Sequence, residues 1–229
     1  MREYLTEDLK GEEEACRIIL EALIQDVEKL EEDHPSRVEV KGKKSGLDEG
    51  TTSTSTSTLD QIVMYVEALM NHDVKATGLK GLQGKIWKAG YASGELKGHI
   101  YDDFKPLLEW CKAQGVSVSI YSSGSIGAQK LLFGHSTAGD LCDYFKAHFD
   151  TTSGGKKEAA SYGKIAKDLG VPVEEICFVS DAEAELVAAR EAGVGFPVMS
   201  IRAGNKPLTD VGRGFPIVHS LLQICGSGK

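Results

Sequence analysis

The sequence predicts an α/β protein in which a Rossmann-like parallel sheet core is accompanied by a helical cap domain. Residues 12–90 show only the helical spacing of apolar side chains, whereas from residue 99 onward short apolar runs alternate with amphipathic helices. Such alternation is typical of parallel sheets. A chain of 229 residues with 41% hydrophobic content is long enough for both parts. We therefore expect a helical region over residues 1–98 and an α/β core over residues 99–229.

The helical region begins with apolar residues spaced three and four apart across residues 12–33, which predicts a helix that ends before Pro35. Residues 36–58 are polar and include a run of alternating threonine and serine, so we expect a disordered low-complexity insertion there. Its removal is expected to cost little stability. Further helices are predicted over residues 59–71 and 75–90, the second with a glycine break.

The core region is expected to alternate between strand and helix. Its first apolar run ends at Tyr121, stops at the hydroxyl and glycine residues that follow, and gives way to helical spacing. The same pattern then repeats toward the carboxyl terminus. The predicted strands cover residues 116–121, 144–149, 176–179 and 197–201, and the predicted helices cover residues 104–113, 128–133, 162–169 and 183–192.

Composition argues against several classes of partner. The net charge of −8 argues against nucleic-acid binding, and no run of about 18 apolar residues is present that could span a membrane. The five cysteines are widely spaced and odd in number, so we expect neither disulfides nor a zinc site, and Cys111 and Cys177 are expected to be buried thiols. These features favour a reducing compartment, and the cytoplasm is the expected location, with the nucleus as a second one.

Hydroxyl side chains follow the first predicted strand. Ser122 and Ser123 precede Gly124 at the point where a helix begins. Backbone N–H groups and hydroxyls at such a turn can bind a phosphate group at the positive end of a helix. The alternative is a strand-to-helix turn in which a serine only caps the helix.

A lysine and a carboxylate follow later strands. Lys156 lies on the glycine-rich loop 150–157, where an ammonium group can neutralise an anionic oxygen, although Lys157 could be the inward-pointing residue and either could be a solvated surface lysine. Asp181 follows the third predicted strand and precedes Glu185 by four residues, a pattern that can bind Mg²⁺. The alternative role of Asp181 is the N-cap of the next helix.

Hydroxyl, lysine and aspartate on successive strands resemble the later three motifs of the haloacid-dehalogenase-type phosphatases. Longer strings are similar to the enolase-phosphatases, or acireductone synthases, of methionine salvage. Residues 79–87 resemble the helical cap of that family, and the similarity covers roughly residues 60–210. The strings that carry it in the core are Tyr121–Ser125, Ala128–His135, Gly139–Asp140, His148–Thr151, Lys156, Ser161–Tyr162 and Arg202–Asn205.

The resemblance implies a two-step reaction in which 2,3-diketo-5-methylthiopentyl-1-phosphate is enolised and then dephosphorylated to the acireductone, 1,2-dihydroxy-3-keto-5-methylthiopentene. The phosphatase step of the superfamily uses an aspartate nucleophile and Mg²⁺. Carried onto this chain, Ser122 and Ser123 would bind the phosphate, Lys156 would neutralise it, Asp181 would bind Mg²⁺, and Glu185 would lie near the metal or its waters.

The resemblance also assigns roles in the helical region. Lys80 and Gln83 are candidates for binding the diketone, whereas Trp87 is expected to pack in the core. His135 and His148 are expected to be structural. The expected partner is a small-molecule phosphate ester, and the family implies a monomer.

One family motif has no counterpart in the sequence. The nucleophile motif Asp-x-Glu/Asp-Gly-Thr-Thr is absent, and no Asp-x-Asp occurs anywhere. In the superfamily the strand that carries this motif lies at the centre of the sheet, so we expect the first, central strand to be missing and two inner edges to be unpaired. An N-terminally shortened acireductone synthase is the leading hypothesis. The alternatives are another phosphatase of the superfamily, a truncated or inactive pseudoenzyme that binds phosphate esters without turnover, and a domain whose polar residues are only caps and surface charges.

Overall fold

A computed structural model describes residues 13–40, 58–74 and 76–226 of the chain. The chain divides into two compact units, Met1–Glu95 and Leu96–Lys229. Helices make up the described part of the first unit, and the second combines helices with parallel strands. The predicted α/β class is therefore confirmed.

The first unit contains helices α1 (Glu13–Glu28), α2 (Thr58–Asn71) and α3 (Thr77–Ser93). Apolar residues spaced three, four and seven apart place one stripe of each helix in a common core. The Asp26 carboxylate accepts a hydrogen bond of 2.5 Å from the Gly78 backbone N–H, so α1 satisfies one of the free donors at the start of α3. The fully buried members of this core include Leu23, Ile62, Val66, Ala68 and Leu69.

Several expectations for the first unit need correction. The first helix ends at Glu28 rather than at residue 33, and Pro35 begins a new helical segment over residues 35–40, because proline suits the first turn of a helix. Ser36 and Val40 in that segment are buried, so residues 36–40 are not part of a disordered insertion and removing them would open the core. The rest of the predicted insertion, residues 41–57, lies outside the described residues.

Helix α3 also differs from its prediction. It continues through Gly81 and Gly84 without a break, because no neighbouring group crowds either position and helical hydrogen bonds need no side chain. Leu79 and Leu82 form its buried face. Trp87, which was expected to pack in the core, is 44% exposed.

The second unit alternates strand and helix almost as the sequence predicts. Strand boundaries differ from the prediction by one or two residues, and the two-residue strand near the carboxyl terminus was missed because its apolar run is too short to be distinctive. The strands are β1 (Val118–Tyr121), β2 (Phe145–Phe149), β3 (Cys177–Ser180), β4 (Phe196–Ser200) and β5 (Ile217–Val218). The helices are α4 (Phe104–Ala113), α5 (Ile126–Gly134), α6 (Ala159–Leu169), α7 (Glu183–Glu191) and α8 (Asp210–Arg213).

These strands form two separate parallel sheets, with the order β1-β2 in one and β3-β4-β5 in the other. Within the described residues, β1 and β3 each have one unpaired edge, as expected for a sheet without its central strand. Cys177 at the start of β3 is exposed, so the prediction of a buried thiol was wrong at this position. The unpaired edge of β3 leaves this side chain without the cover that a neighbouring strand would give.

Helix α7 contributes buried side chains to two hydrophobic clusters, one on each of two faces. Leu186 packs with Met199 and Phe215, whereas Ala188 and Ala189 on another face pack with Tyr162 of α6. The small alanine side chains let α6 approach α7 closely. Tyr162 also contacts Tyr121 of β1 and Phe178 of β3, with ring centroids 5.8 and 5.0 Å away. One aromatic side chain therefore joins the two sheets.

Candidate active site

The turn between β1 and α5 holds the predicted phosphate-binding serines. The N-cap of α5 is Ser125, whose Oγ accepts a hydrogen bond from the Ala128 N–H at 3.3 Å, so Ser122 and Ser123 are not the helix cap. Ser122 is half-buried and its Oγ accepts a 3.2 Å bond from the Gly124 N–H. Ser123 is exposed. Both hydroxyls therefore still have capacity to bind a ligand.

Two side chains from outside the turn fix its position. Gln129 is buried, and its Nε2 donates hydrogen bonds of 2.9 Å to the carbonyl oxygens of both Gly124 and Phe149. Asp150 accepts a 3.2 Å bond from the Ile126 N–H, the first of α5. A carboxylate thus already occupies part of the helix N-terminus, so an incoming phosphate would depend more on the serine hydroxyls and less on the helix than the sequence suggested.

Lys156 points inward and Lys157 is exposed, which settles which of the two neighbours lies at the strand ends. The Lys156 ammonium forms an ion pair with Glu185 of α7, with 2.7 Å between Nζ and Oε2. Ser180 at the end of β3 donates a hydrogen bond of 2.7 Å to the same carboxylate oxygen. The side chains of the ion pair are only 24% and 13% exposed, so solvent screens the pair less than it would at the surface.

Asp181 directly follows Ser180 in the sequence, and its side chain is exposed. Its Oδ2 accepts a hydrogen bond of 2.9 Å from Asn205 Nδ2. The N-cap position of α7 belongs to Ala182, so Asp181 is not the cap of that helix. The carboxylate is held from one side and its other oxygen is available to a ligand.

The metal-binding capacity of the described residues is small. They contain no group of three histidine, cysteine, aspartate or glutamate side chains close enough to hold an ion. Glu185 directs one oxygen at Lys156 and Ser180, which leaves Asp181 as the more available carboxylate. Mg²⁺ often takes one or two protein carboxylates, with waters and substrate phosphate completing its shell. Asp181 fits one such ligand, and it does not form a complete site alone.

Two tyrosines that the sequence analysis did not assign hold the lysine loop. The Tyr162 hydroxyl lies 2.6 Å from the Lys156 carbonyl oxygen and 3.0 Å from that of Glu185. The Tyr121 hydroxyl donates a bond of 2.9 Å to the Gly154 carbonyl oxygen. The only sequence signal was their presence in the family-like strings, since a tyrosine in an apolar segment is usually just a core residue.

The remaining predicted residues lie in both units of the chain. Lys80 is exposed and Gln83 half-buried on α3 of the first unit, and their contact with a substrate remains a prediction. His148 Nδ1 lies 3.0 Å from Gln129 Oε1, which ties it to the bracing of the serine turn. Cys111, Cys142, Cys177 and Cys225 form no disulfide with one another. No helix of the described ranges combines the length and apolar character that a membrane span requires.

Comparison with known proteins identifies the family. A family model for haloacid dehalogenase-like hydrolases matches residues 10–193. The chain belongs to the haloacid dehalogenase-like hydrolase family. This hydrolase is similar to Enolase-phosphatase E1 of Salmo salar, with 40% identity over 232 residues that cover 100% of the chain and 87% of the relative. It is 50% identical to Enolase-phosphatase E1 of Drosophila willistoni over 159 residues, 69% of the chain and 64% of that relative.

The match to Enolase-phosphatase E1 of Synechococcus elongatus is also 50% identical and spans 60% of that relative, so the hydrolase matches less than two thirds of these relatives' length. Among solved structures, it is similar to the UTR4 protein of Saccharomyces cerevisiae, with a TM-score of 0.64 and 29% identity over 93% of this chain and 90% of that one. A dehalogenase with a TM-score of 0.52 and 19% identity shares the fold. These comparisons support a phosphatase role and give no support to the pseudoenzyme alternative.

Proposed function

We propose that this hydrolase acts on 2,3-diketo-5-methylthiopentyl-1-phosphate in methionine salvage, enolising it and hydrolysing its phosphate ester, so that water supplies the oxygen of the released phosphate and the acireductone is left. The aspartate nucleophile motif of the family is absent from the sequence, so none of the residues named below is assigned the attack on phosphorus. The observation that carries the proposal is the half-buried Lys156–Glu185 ion pair at the strand ends, beside Asp181 and in the same unit as the serine turn. The printed names of the enolase-phosphatase relatives, and the match to the Salmo salar relative over the whole chain, support this substrate class.

The proposed division of labour follows the geometry. The Ser122 and Ser123 hydroxyls would donate hydrogen bonds to phosphate oxygens, and Lys156 would offset the negative charge of the phosphoryl group. Glu185 would orient the ammonium and Asp181 would provide one carboxylate ligand to Mg²⁺. When bound, the ion would supply additional positive charge beside the phosphate. Lys80 and Gln83 remain the proposed diketone contacts.

The proposal extends to partners and location. The ligand is a small phosphate ester, and we expect no nucleic-acid partner because the net charge of −8 argues against binding to a polyanion. We expect a monomer in the cytoplasm, with the nucleus as a second compartment. Size-exclusion chromatography with light scattering would test the monomer, and a dimer would contradict it.

The deciding experiment is phosphate release from the diketo phosphate in the presence of Mg²⁺, with the enol followed by its ultraviolet absorbance. Lys156→Ala should lower kcat/KM by at least about 100-fold, since one preorganised electrostatic contact is worth roughly that much. Lys157→Ala removes an exposed lysine from the adjacent position and should change kcat/KM less than about twofold.

The outcomes separate the hypotheses. Release that is lost with Lys156→Ala and kept with Lys157→Ala supports the proposal. Phosphate binding without any release would contradict the enzymatic role of this chain. Equal turnover of the diketo phosphate and of p-nitrophenyl phosphate would indicate another phosphatase of the family, because the substrate tail would then make no contribution to kcat/KM.

A further inference from the structure

The loop that presents Lys156 is held by two phenol side chains. Gly154 adopts a φ of 122°, a conformation that favours glycine, and a Cβ there would collide with Ser161. Two adjacent glycines give this loop little conformational preference of its own. Its backbone is instead fixed by the Tyr121 hydroxyl, which bonds the Gly154 carbonyl, and by the Tyr162 hydroxyl, which bonds the Lys156 carbonyl at 2.6 Å.

Tyr162 acts on both partners of the ion pair. Its hydroxyl lies within hydrogen-bond distance of the carbonyl oxygens of Lys156 and of Glu185, at 2.6 and 3.0 Å. A phenol has one proton to donate, so the two carbonyl oxygens must converge on that proton. One hydroxyl therefore fixes the backbone positions of both Lys156 and Glu185. Their side chains form an ion pair with 2.7 Å between Nζ and Oε2.

The surroundings keep Tyr162 in place and in its donor form. The residue is buried, and its ring meets Tyr121 and Phe178 edge to face. Burial, followed by the nearby Glu185 carboxylate, raises the pKa of the Tyr162 phenol above its ordinary value. The hydroxyl therefore keeps its proton at neutral pH and can donate it to the two carbonyl oxygens.

We infer that Tyr162 is a positioning residue for Lys156, with Tyr121 as its aid, and that together they set the ammonium against the phosphate oxygen. The inference rests on the proposed role of Lys156 in binding phosphate. It assigns Tyr162 no contact with the substrate. Loss of its hydroxyl should loosen the ion pair while leaving the aromatic packing intact.

The test compares Tyr162→Phe with the wild-type chain by two readouts. Limited reductive methylation with formaldehyde and borohydride, followed by tandem mass spectrometry, gives the rate at Lys156 relative to exposed Lys157 in the same molecule. This ratio should rise about fivefold in Tyr162→Phe, the factor that corresponds to one lost hydrogen bond of about 1 kcal/mol. Orthophosphate affinity, measured by calorimetry well below the unfolding temperature, should fall by a similar factor.

Tyr144→Phe is the matched control. Tyr144 lies in the same unit, its ring meets the Lys112 ammonium, and its hydroxyl makes no hydrogen bond to any described residue. Both readouts should match the wild type in this variant. Tyr121→Phe removes the Gly154 contact, together with the hydrogen bond between this hydroxyl and the Ser161 side chain, and should raise the methylation ratio too, which keeps the inference testable if Tyr162→Phe does not fold.

A cycle with Glu185→Gln identifies the route of the effect. Once the ion pair is removed, Tyr162→Phe should add little further reactivity at Lys156, so the two changes should be non-additive. An unchanged methylation ratio in a folded Tyr162→Phe variant overturns the positioning role, even if the unfolding temperature drops. If the wild type binds no orthophosphate, the proposed function fails instead, and the methylation ratio still decides the role of Tyr162.

Discussion

At the scale of single residues, this structure depends on buried polar side chains that each satisfy several backbone groups. Gln129 is the clearest case, because its amide nitrogen serves two carbonyl oxygens and its amide oxygen faces His148 Nδ1. These partners fix the orientation of the amide and the tautomer of the neutral imidazole, whose Nδ1 must donate. The serine turn and the end of β2 are held together through this one side chain.

Replacing Gln129 with leucine is expected to destabilise the second unit strongly. Leucine has a similar volume but leaves the Gly124 carbonyl oxygen without its side-chain donor, at about 1–3 kcal/mol for a buried unsatisfied group, and leaves the Phe149 carbonyl oxygen with only the Ser122 N–H. Urea unfolding followed by circular dichroism would measure the loss. The same change at Gln114, an exposed glutamine just beyond α4, should alter the free energy of unfolding by less than about 0.5 kcal/mol. Equal effects at both positions would contradict the bracing role.

The residues of the site were only partly predictable from the sequence. Ser122, Lys156 and Asp181 could be proposed because each follows a predicted strand, where open parallel sheets bind their ligands, and because the three together resemble the motifs of the family. The partner of Lys156 could not, because choosing between Glu185 and other nearby carboxylates depends on side-chain directions that spacing does not encode. Tyr162 was hidden for the opposite reason, since an aromatic residue on the apolar face of a helix needs no special explanation.

At the scale of elements, close backbone contacts decide where helices and strands can meet. Gly195, just before β4, lies against the Glu174 carbonyl group in the turn before β3, and a Cβ at this position would overlap that oxygen. A backbone atom cannot move aside as the end of a long side chain can. The approach of these two segments therefore requires glycine at this position.

Gly195→Ala is accordingly expected to lower the free energy of unfolding by roughly 1–3 kcal/mol or more, as for other overpacked sites. Gly127→Ala provides a control of opposite sign. Gly127 lies in α5 with no neighbour near its potential Cβ, so alanine should stabilise the helix by up to about 1 kcal/mol. Thermal unfolding of the two variants would test both signs, and a neutral Gly195→Ala would show that the Glu174 segment can shift.

Element boundaries show which sequence signals are reliable. Helix α4 was predicted residue for residue, because an uninterrupted amphipathic pattern lies between polar segments. Helix α1 was predicted too long, because charged residues beyond Glu28 continue the composition of a helix although the chain turns away. The burial of Ser36 and Val40 was missed because the polar composition of residues 36–58 does not indicate which individual side chains pack against the neighbouring helices.

At the scale of the whole molecule, charge and protonation link distant parts of the second unit. Asp103 precedes α4 and accepts hydrogen bonds from Arg202, Ser220 and the Leu221 N–H through one oxygen. Burial alone would raise the pKa of this carboxyl, but these bonds outweigh it and lower the pKa. Bonds from the Thr152 side chain and backbone lower the pKa of Asp150. Burial, and then the positive charge of Lys130, lowers the pKa of His148.

All three shifts act in the same direction on stability. A lowered pKa means that the unfolded chain binds more protons than the folded one, so stability rises with pH. We therefore expect the free energy of unfolding to fall on acidification in two windows. The first begins near pH 6.5, where unfolded His148 takes up its proton, and the second begins near pH 4, where Asp103 and Asp150 would protonate in the unfolded chain.

Urea unfolding between pH 7.5 and 3, followed by the fluorescence of Trp110 in a Trp87→Phe background, would report on the second unit alone. His148→Gln should flatten the upper window and Asp103→Asn the lower one. The same change at exposed His219 should leave the curve unaltered. A wild-type curve that is flat from pH 7.5 to 5 would contradict the upper window.

The two-sheet arrangement has a further consequence for the molecule. The unpaired edges of β1 and β3 present backbone donors and acceptors that ordinary sheet proteins cover. Tyr162 remains the one aromatic side chain, among the described residues, whose ring contacts both inner strands. Because no described strand pairs with both β1 and β3, side-chain contacts hold the site residues at the ends of these two strands together.

The two glycines before Lys156 determine at which stage the loop loses its conformational entropy. Two adjacent glycines lose more conformational entropy on becoming fixed than any other pair of residues. Because Tyr121 and Tyr162 hold the loop carbonyls in the folded chain, that entropy is surrendered during folding and not when a ligand arrives. The fold is less stable as a result, and a phosphate ester meets an ammonium group that needs no further immobilisation.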